Sequence, residues 1–181
     1  GISAAQINAL FTVPPDDGGD EDLLTVPDES TFDMVVTGAA TGSQIVGSSG
    51  NDLLQGLAGD DQLFGLGGND WLVAGDGSDY LDGGSGNDTQ LGGAGDDQLG
   101  GDAGDDVLSG GSGNDIYVYR AGSGNDTIIN EGGGTDWLIF TDDITADRLT
   151  YVQTGDDLLV KIDDGEAGSV TVLDWFLDSE H

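Results

Sequence analysis

Residues 47–118 consist of eight consecutive nine-residue units, which read GSSGNDLLQ, GLAGDDQLF, GLGGNDWLV, AGDGSDYLD, GGSGNDTQL, GGAGDDQLG, GDAGDDVLS and GGSGNDIYV. The fourth position of every unit is Gly and the sixth is Asp, while the eighth is Leu except at Gln90 and Tyr117. Self-similarity at a fixed period is typical of a repeat architecture, in which each unit stacks on its neighbours. This stretch therefore decides the fold of the chain.

Each unit divides into a six-residue turn and a three-residue strand. Glycine at positions 2 and 4 lets the turn adopt backbone angles that other residues resist. Position 8 supplies one inward apolar side chain for the strand. Two units make one coil of a flattened roll, so unit n stacks on unit n+2 and their turns face each other. We therefore predict an all-β fold, a parallel β-roll.

The carboxylates at the sixth position indicate a divalent cation between stacked turns. Calcium takes six to eight oxygen ligands in flexible geometry, and carboxylates with turn carbonyls supply only oxygen, whereas magnesium requires a tighter octahedron. The chain has no Cys and its one His is the terminal His181, which disfavours zinc and copper. The alternative is a metal-free β-solenoid in which Asn and Asp only shape the turns. That solenoid would not need Asp at every sixth position.

Calcium is predicted to be required for folding. Ordering nine backbone residues costs more conformational free energy than the burial of one leucine returns, and stacked carboxylates repel one another. We therefore expect the metal-free chain to be largely disordered and the calcium-bound chain to be folded. The stacked pairs of units, with two irregular turns downstream, predict about six to eight calcium ions.

The segments before the repeats differ from them in composition. Residues 35–46 keep the phase of the repeats, with Ile45 at the apolar position, but place Ser43 where Asp belongs. We predict that they form an N-terminal capping turn that stacks without a metal. Residues 1–34 contain all three prolines and an acidic cluster, which predicts a linker. Within this linker the apolar residues of 2–11 could share one face of a short helix.

After Val118 the period slips. The turn sequence recurs at residues 122–126 and 132–136, but the Asp spacings become 11 and then 10 residues. We predict that the roll covers residues 47–136 and that residues 137–181 form a small antiparallel β cap, with Trp137 and Trp175 in its core. Strand-like runs at 137–140, 149–152, 158–162 and 169–173 support this expectation.

Three details of the units bear on packing and binding. Gln90 occupies an apolar position, so we expect local loosening near residues 89–91, with Leu91 shifting inward instead. Trp71 and Tyr80 lie at position 7, which points outward if position 8 points inward. We interpret them as surface residues; the alternative is that this exposed aromatic pair binds a sugar or a protein partner.

The charge of the chain excludes several functions. It has 36 acidic and three basic residues, a formal net charge of −33, and residues 1–119 contain no Lys or Arg. Nucleic-acid binding needs Lys and Arg, and anionic membranes would repel this surface. No apolar run is long enough to span a membrane. Because the single His is terminal, there is no Ser-His-Asp set, and we predict no enzymatic activity and no catalytic residue.

The units match the pattern GGxGxDxUx and resemble the repeats of the RTX family of secreted bacterial proteins. The tail, from Gly124 to Phe176, resembles the block that follows the repeats in haemolysins and the adenylate cyclase toxin. The resemblance implies a parallel β-roll that is exported unfolded by the type I secretion machinery. It also implies folding on external calcium, starting at the C-terminal cap, and a location outside the cell or on the bacterial surface.

The resemblance also implies the calcium ligands. They are carboxylates of the sixth-position aspartates and of two aspartates in the irregular turns, together with carbonyls of the turn glycines. In this sequence they are Asp52, Asp61, Asp70, Asp79, Asp88, Asp97, Asp106, Asp115, Asp126 and Asp136, with Gly50, Gly59, Gly68, Gly77, Gly86, Gly95, Gly104 and Gly113.

The leading hypothesis is a calcium-dependent folding and secretion module of a larger exoprotein, of which this chain is one part. Two alternatives stay open. The first is a calcium-stiffened structural segment of a giant surface adhesin. The second is the C-terminal module of a secreted hydrolase or epimerase whose catalytic domain lies upstream. The sequence does not identify the parent protein or the oligomeric state.

Overall fold

The computed structural model describes residues 29–130, 132–141, 144–163 and 168–175. These ranges contain fifteen strands and two short 3-10 helices. The strands are β1 Met34–Thr37, β2 Gln44–Val46, β3 Asp52–Ala58, β4 Gln62–Gly67, β5 Trp71–Asp76, β6 Tyr80–Ser85, β7 Thr89–Ala94, β8 Gln98–Ala103, β9 Val107–Ser112, β10 Ile116–Tyr119, β11 Asn125–Ile129, β12 Trp137–Phe140, β13 Leu149–Thr154, β14 Asp157–Ile162 and β15 Ser169–Leu173. The 3-10 helices are Glu29–Thr31 and Ala146–Arg148.

The strands form two sheets that alternate along the chain. The larger sheet has nine strands in the order β1-β3-β5-β7-β9-β11-β15-β14-β13, and the smaller has six in the order β12-β10-β8-β6-β4-β2. Strands of the repeats pair in parallel with the strand two units away, so Leu54 lies beside Leu72 and Leu81 beside Leu99. The predicted parallel β-roll is therefore confirmed.

The core lies between the two sheets and is built from the eighth position of each unit. Leu54, Leu72 and Leu108 reach it from the larger sheet, and Leu63, Leu81 and Leu99 reach it from the smaller. Successive side chains of a strand point to opposite faces, so each unit contributes one such residue. The 18-residue spacing aligns these residues into two rows of apolar side chains along the roll.

Gln90 takes its place in the core without a change of register. It pairs with Leu72 on one side and Leu108 on the other, and its side chain is fully buried. Its amide Nε2 donates a hydrogen bond to the Gly100 carbonyl oxygen at 2.7 Å. Leu91 is buried too, but it does not replace Gln90 in the core cluster. The expected inward shift of Leu91 is wrong, because one hydrogen bond lets the amide stay.

At the N-terminal end, Ile45 of β2 is buried in the core and pairs with Leu63. The Ser43 N–H donates to the Asp61 carboxylate, so this turn stacks on the next one. The division of the chain into a linker, a capping turn, a roll and a cap stays a prediction. The helix expected over residues 2–11, and most of the predicted linker, lie outside the described residues.

The roll continues past the two irregular turns at residues 122–126 and 132–136, here called the slipped turns. β12 pairs in parallel with β10, and β11 pairs in parallel with β15, while β14 is antiparallel to both β13 and β15. The strand at residues 137–140 therefore continues the smaller sheet instead of joining the antiparallel strands. The extra residues of the turns are absorbed in the loops, since the strands they connect stay paired.

The two C-terminal tryptophans lie at the surface. Trp137 is 61% exposed and Trp175 is 49% exposed, so the prediction that they form the core of the cap is wrong. Trp137 follows the turn aspartate Asp136 and thus takes the outward position 7 of its turn. Among the described residues, no helix is long and apolar enough to cross a membrane.

The second position of the turn carries backbone strain in three of the four units where it is not Gly. Leu57, Leu66 and Asp102 have φ values of 88°, 77° and 66°, in the left-handed region that Gly75 and Gly84 occupy at the equivalent position. A left-handed conformation costs an L-residue about 1–2 kcal/mol, whereas Gly adopts it freely. Leu66 is also more than half exposed, so its side chain gains little from packing.

We expect Leu66→Gly to raise the free energy of unfolding by up to about 1 kcal/mol, because strain is relieved while glycine loses somewhat more entropy on folding. Urea unfolding in saturating calcium measures the change. Leu66→Ala is the matched control, since it removes the side chain but keeps a Cβ at a positive φ. Equal stability of the two variants would contradict the assignment of strain.

Candidate metal centre

The turns stack in two rows, one along each edge of the roll. One row precedes the strands of the larger sheet and the other precedes those of the smaller sheet. Every sixth-position carboxylate is buried, with side-chain exposures between 0 and 3%. Asp126, in the first slipped turn, is also buried, and Asp136, in the second, is partly buried. The structure thus brings the predicted aspartates together in two rows.

Each buried carboxylate after Asp52 holds the turn before it in its own row. The Oδ1 of Asp88 accepts a hydrogen bond from the Asp70 N–H at 2.8 Å, and the Oδ1 of Asp97 accepts one from the Asp79 N–H at 2.8 Å. The pattern continues into the slipped turns, where Asp126 accepts from the Asp106 N–H at 3.2 Å. The ladder shows why Asp is needed here: its side chain is one of the contacts between coils.

The second carboxylate oxygen is the unusual feature of the rows. Seven Oδ2 atoms are buried and accept no hydrogen bond, and a buried polar atom without a partner is costly. A cation beside each oxygen would satisfy it, and a hard oxygen ligand suits calcium. These oxygens belong to Asp61, Asp70, Asp79, Asp88, Asp97, Asp106 and Asp115.

Backbone carbonyls border the same space. A Cβ built on Gly65 would meet the Asp70 Oδ2 and would lie 2.5 Å from the Gly83 carbonyl oxygen. A Cβ on Gly56 would lie 2.5 Å from the Asp61 Oδ2 and 2.6 Å from the Ala74 carbonyl oxygen. Carboxylate and carbonyl oxygens therefore converge on the gap beside the first glycine of a unit. The residues present fit an oxygen-liganded cation.

Among the described residues, no group of three or more His, Cys, Asp or Glu side chains converges on one point. A cage made of side chains alone is therefore not the arrangement here. Single carboxylates alternate with carbonyls along each row, so backbone oxygens would have to complete any coordination sphere. A groove beside one row, bordered by Asp61, Asp79 and Asp97, connects the site with solvent.

Burial changes the acidity of the rows. It raises the pKa of Asp88 and of Asp97 to about 7, although the backbone hydrogen bond to each carboxylate acts in the opposite direction. Burial raises the pKa of Asp126 to about 8, with the charge of Asp106 adding to the effect. Burial also raises the pKa of Asp70, to about 6. Ionised carboxylates in the rows therefore need a compensating positive charge.

Asp52 differs from the other sixth-position aspartates. Its Oδ2 accepts a hydrogen bond from the Ser48 N–H at 2.5 Å, and its Oδ1 accepts one from the Ser48 hydroxyl at 3.2 Å. Ser48 stands at position 2, where four of the other units have Gly. The turn itself thus satisfies the first carboxylate, and Asp52 is the predicted ligand with the least need of a cation.

A second ladder runs along the fifth position, which the sequence analysis did not single out. The Asn69 N–H donates to the Asn51 Oδ1 at 2.7 Å, and the Asn114 N–H donates to the Asp96 Oδ1 at 2.8 Å. This ladder runs opposite to that of the sixth position, because here the side chain accepts from the following turn. The signal was present, since seven of the eight units have Asn or Asp at position 5 and only Ser78 departs.

The fourth-position glycines are needed for close stacking. Gly86 has a φ of 125°, and a Cβ there would overlap the carbonyl oxygen of Gly68 in the preceding turn of the row. The predicted role of these glycine carbonyls as ligands stays a prediction. Their steric role follows from the geometry.

The comparison with protein families agrees with this geometry. A sequence model described as the RTX calcium-binding nonapeptide repeat (4 copies) matches residues 37–72, 55–90, 64–99, 82–117 and 91–128, together about half of the chain. No curated protein matches the chain. Among solved structures, the extracellular lipase LipA from Serratia marcescens is similar, with 20% identity and a TM-score of 0.35. The match covers 76% of this chain and 37% of the lipase chain.

We expect Gly86→Ala to prevent the stacking of its turn, since a backbone oxygen cannot move away as a flexible side chain would. Calcium-saturated protein should lose β structure and thermal stability, as measured by circular dichroism. Ser85→Ala is the matched control one residue away, at an exposed position where three other units have Ala. Equal melting curves for the two variants would contradict the close-packing argument.

We also expect the metal-free chain to gain β structure as the pH falls from 8 to 5. The folded pKa values of Asp88 and Asp126 are raised above the ordinary value of 3.8. The folded state therefore binds protons more tightly than the unfolded state. The resulting stability is fully present below the unfolded pKa and is lost as the pH rises through about 6 to 8. Circular dichroism in EDTA across this range measures it.

Two variants separate this effect from the general loss of negative charge. Asp88→Asn mimics the protonated form at a buried position and should weaken the pH dependence. Asp96→Asn removes the same charge at an exposed position and should weaken the dependence less, because the charge of Asp96 is only a minor cause of the raised pKa of Asp97 and Asp115. A metal-free chain whose β content is constant or falls on acidification would contradict the prediction.

Proposed function

Because the chain belongs to the RTX family of calcium-binding nonapeptide repeats, we propose that it is a folding module gated by extracellular calcium. In this proposal the chain is disordered without calcium, folds into the β-roll when calcium is bound, and so supports the secretion and stability of a larger exoprotein. The RTX repeats are a structural calcium-binding domain, and the proposed role needs no catalytic residue.

One observation carries the proposal: seven buried carboxylate oxygens have no hydrogen-bond partner. The cost of burying each of them is a cost of folding, since the unfolded chain would hydrate the same oxygens. A bound calcium ion supplies the positive charge and the ligand bond that this atom lacks. Because the gap beside each oxygen forms only when two turns stack, calcium binding and stacking are coupled.

The proposed ligands are the seven buried Oδ2 atoms without a hydrogen-bond partner, here called orphan oxygens, and the turn carbonyls next to them. Three orphan carboxylates lie along the row before the larger sheet, at Asp70, Asp88 and Asp106. The other four lie along the row before the smaller sheet and belong to Asp61, Asp79, Asp97 and Asp115. This count supports about six to eight ions, the number expected from the stacked units. Asp126 and Asp136 extend the rows, and Asp52 contributes least.

The C-terminal strands suit a role in starting the folding. β13 and β14 form a hairpin across a short turn at 154–157, so their contacts are local in sequence and need no calcium turn. β14 in turn pairs with β15, which offers its free side to β11, the last strand of the repeats in the larger sheet. We propose that the cap forms first and provides the edge on which the coils stack.

The proposed setting is extracellular. Calcium there is in the millimolar range that extracellular calcium modules require, whereas the cytosol holds far less. A chain of net charge −33 would stay extended in the cytosol through self-repulsion, a state suited to passage through the type I secretion machinery. Folding on the outside would then follow from the change in calcium concentration alone.

We expect calcium, but not magnesium, to convert metal-stripped protein from coil to β structure in a cooperative transition between about 0.1 and a few millimolar. Far-UV circular dichroism follows the titration. Asp97→Asn should raise the calcium midpoint several-fold and reduce the number of bound ions, because it removes one buried charged oxygen.

Asp96→Asn is the matched control, one residue away. It removes an equal charge, but the Asn114 N–H can still donate to the Oδ1 of the new side chain, so the midpoint should stay near that of the parent chain. Stripped protein that is already rich in β structure and does not respond to calcium would refute the proposed gating. Equal midpoints for the two variants would refute the proposed ligand row.

A further inference from the structure

The outer face of the larger sheet is buried at Leu53 and at its ninth-position side chains, whereas Trp71 and Thr89 at the seventh position are only partly buried. The eighth-position residues of β3, β5 and β9 point into the core, so the residues on either side of them point outward. Leu53 and Leu91 lie at such outward positions, yet they are 0% and 2% exposed. Val73 and Ile129, at equivalent positions, are buried as well. These four side chains form what we call the outer stripe, and none of them belongs to the core cluster between the sheets.

The smaller sheet provides the comparison within the same molecule. At its outward positions Gln62, Trp137 and Ile139 are exposed, whereas Tyr80 and Val118 are partly buried. The two sheets share one repeat and one strand geometry. The outer stripe is therefore more deeply buried than the equivalent side chains of the smaller sheet.

An apolar outer face that faces water is unfavourable, because removing leucine, valine and isoleucine side chains from water lowers the free energy. A segment that lies over the outer stripe would remove this cost.

Residues 1–13 have the composition that such a cover needs. They read GISAAQINALFTV, contain no charged residue, and carry Ile2, Ile7, Leu10 and Phe11. In a chain of net charge −33 a neutral apolar segment suits a neutral apolar face. The acidic residues 16–22 that follow would remain in water as a tether.

The described chain enters the larger sheet at the edge nearest to Leu53. β1 is the first strand of the larger sheet and pairs with β3, which carries Leu53. The outer stripe runs from β3 to β11 and so extends about 24 Å from β1, at roughly 4.8 Å per strand. The tether of residues 14–33 can span up to about 65 Å when extended, at about 3.3 Å per residue. The segment can therefore reach every part of the stripe.

We propose that residues 1–13 bind along the outer stripe of the folded roll and exclude water from it. The larger sheet is the receptor, and the segment contributes its apolar side chains. Because the stripe exists only when the coils have stacked, the segment binds the folded state and stabilises it. The inference concerns the folded chain and is separate from the question of which ion folds it.

Paired spin labels test the proposal in the full chain. The chain contains no cysteine, so Ala5→Cys can be combined with Thr89→Cys on the larger sheet or Gln98→Cys on the smaller. Residues 89 and 98 occupy position 7 in consecutive units and differ in the sheet they belong to. In calcium, electron–electron distances should be narrowly distributed for the 5–89 pair and at least about 10 Å longer for the 5–98 pair, since packed sheets lie about 10 Å apart.

Two further sets of substitutions test whether the apolar side chains of the segment hold it on the stripe. Leu10→Asp with Phe11→Asp should abolish the short 5–89 distance, whereas Gln6→Glu with Asn8→Asp adds the same two charges at polar positions and should preserve it. Circular dichroism of each sample in calcium shows whether the roll has formed. A failure of the calcium proposal would therefore appear in the spectra, and the distances are interpreted only for samples in which the roll has formed.

Three results would overturn the inference in a folded sample. Broad distributions for both pairs would show that the segment does not bind the stripe. A shorter distance to residue 98 would place it on the smaller sheet. A 5–89 distance that disappears on dilution with unlabelled protein would show that a second copy of the chain covers the stripe.

Discussion

The structure depends on one side chain used in two ways. In every unit except the first, the aspartate at position 6 binds the backbone of the turn before it through Oδ1, and leaves Oδ2 buried without a donor. The first interaction fixes the 18-residue stacking, and the second makes that stacking unfavourable unless a cation is present. Neither Asn nor Glu would combine the same reach with the same charge. Folding and calcium binding are therefore coupled at the sixth position.

Much of the fold could be predicted from the sequence because the period fixes the pairing. Once Leu72 and Asp70 recur in phase, the strand partners follow without any knowledge of long-range contacts. The prediction was less accurate where the period ends. Trp137 was assigned to the core of a cap, but its strand continues the smaller sheet and the side chain is exposed, because parallel pairing tolerates extra residues in the preceding loop.

The candidate site could be predicted at the level of residue type but not of individual atoms. The pattern located the aspartates, yet it could not distinguish Asp52, which its own Ser48 satisfies, from Asp70, which has a bare oxygen. That difference depends on the backbone of one turn, in which the Ser48 N–H donates to the Asp52 Oδ2. The ladder at position 5 was overlooked because Asn and Asp are common in turns, so their side chains were not expected to link one coil to the next.

The two faces of the roll show what a repeat sequence leaves free. The inward position and the turn positions are constrained in every unit, whereas positions 7 and 9 can differ between the sheets. In this chain both sheets mix apolar and polar residues at their outward positions, but Leu53, Val73 and Leu91 of the larger sheet are buried, whereas Phe64 and Val118 of the smaller are only partly buried. Such an asymmetry adds nothing to calcium binding, since both rows of turns are built alike. The difference between the two outer faces therefore needs an explanation other than calcium binding, and a segment that covers the larger sheet provides one.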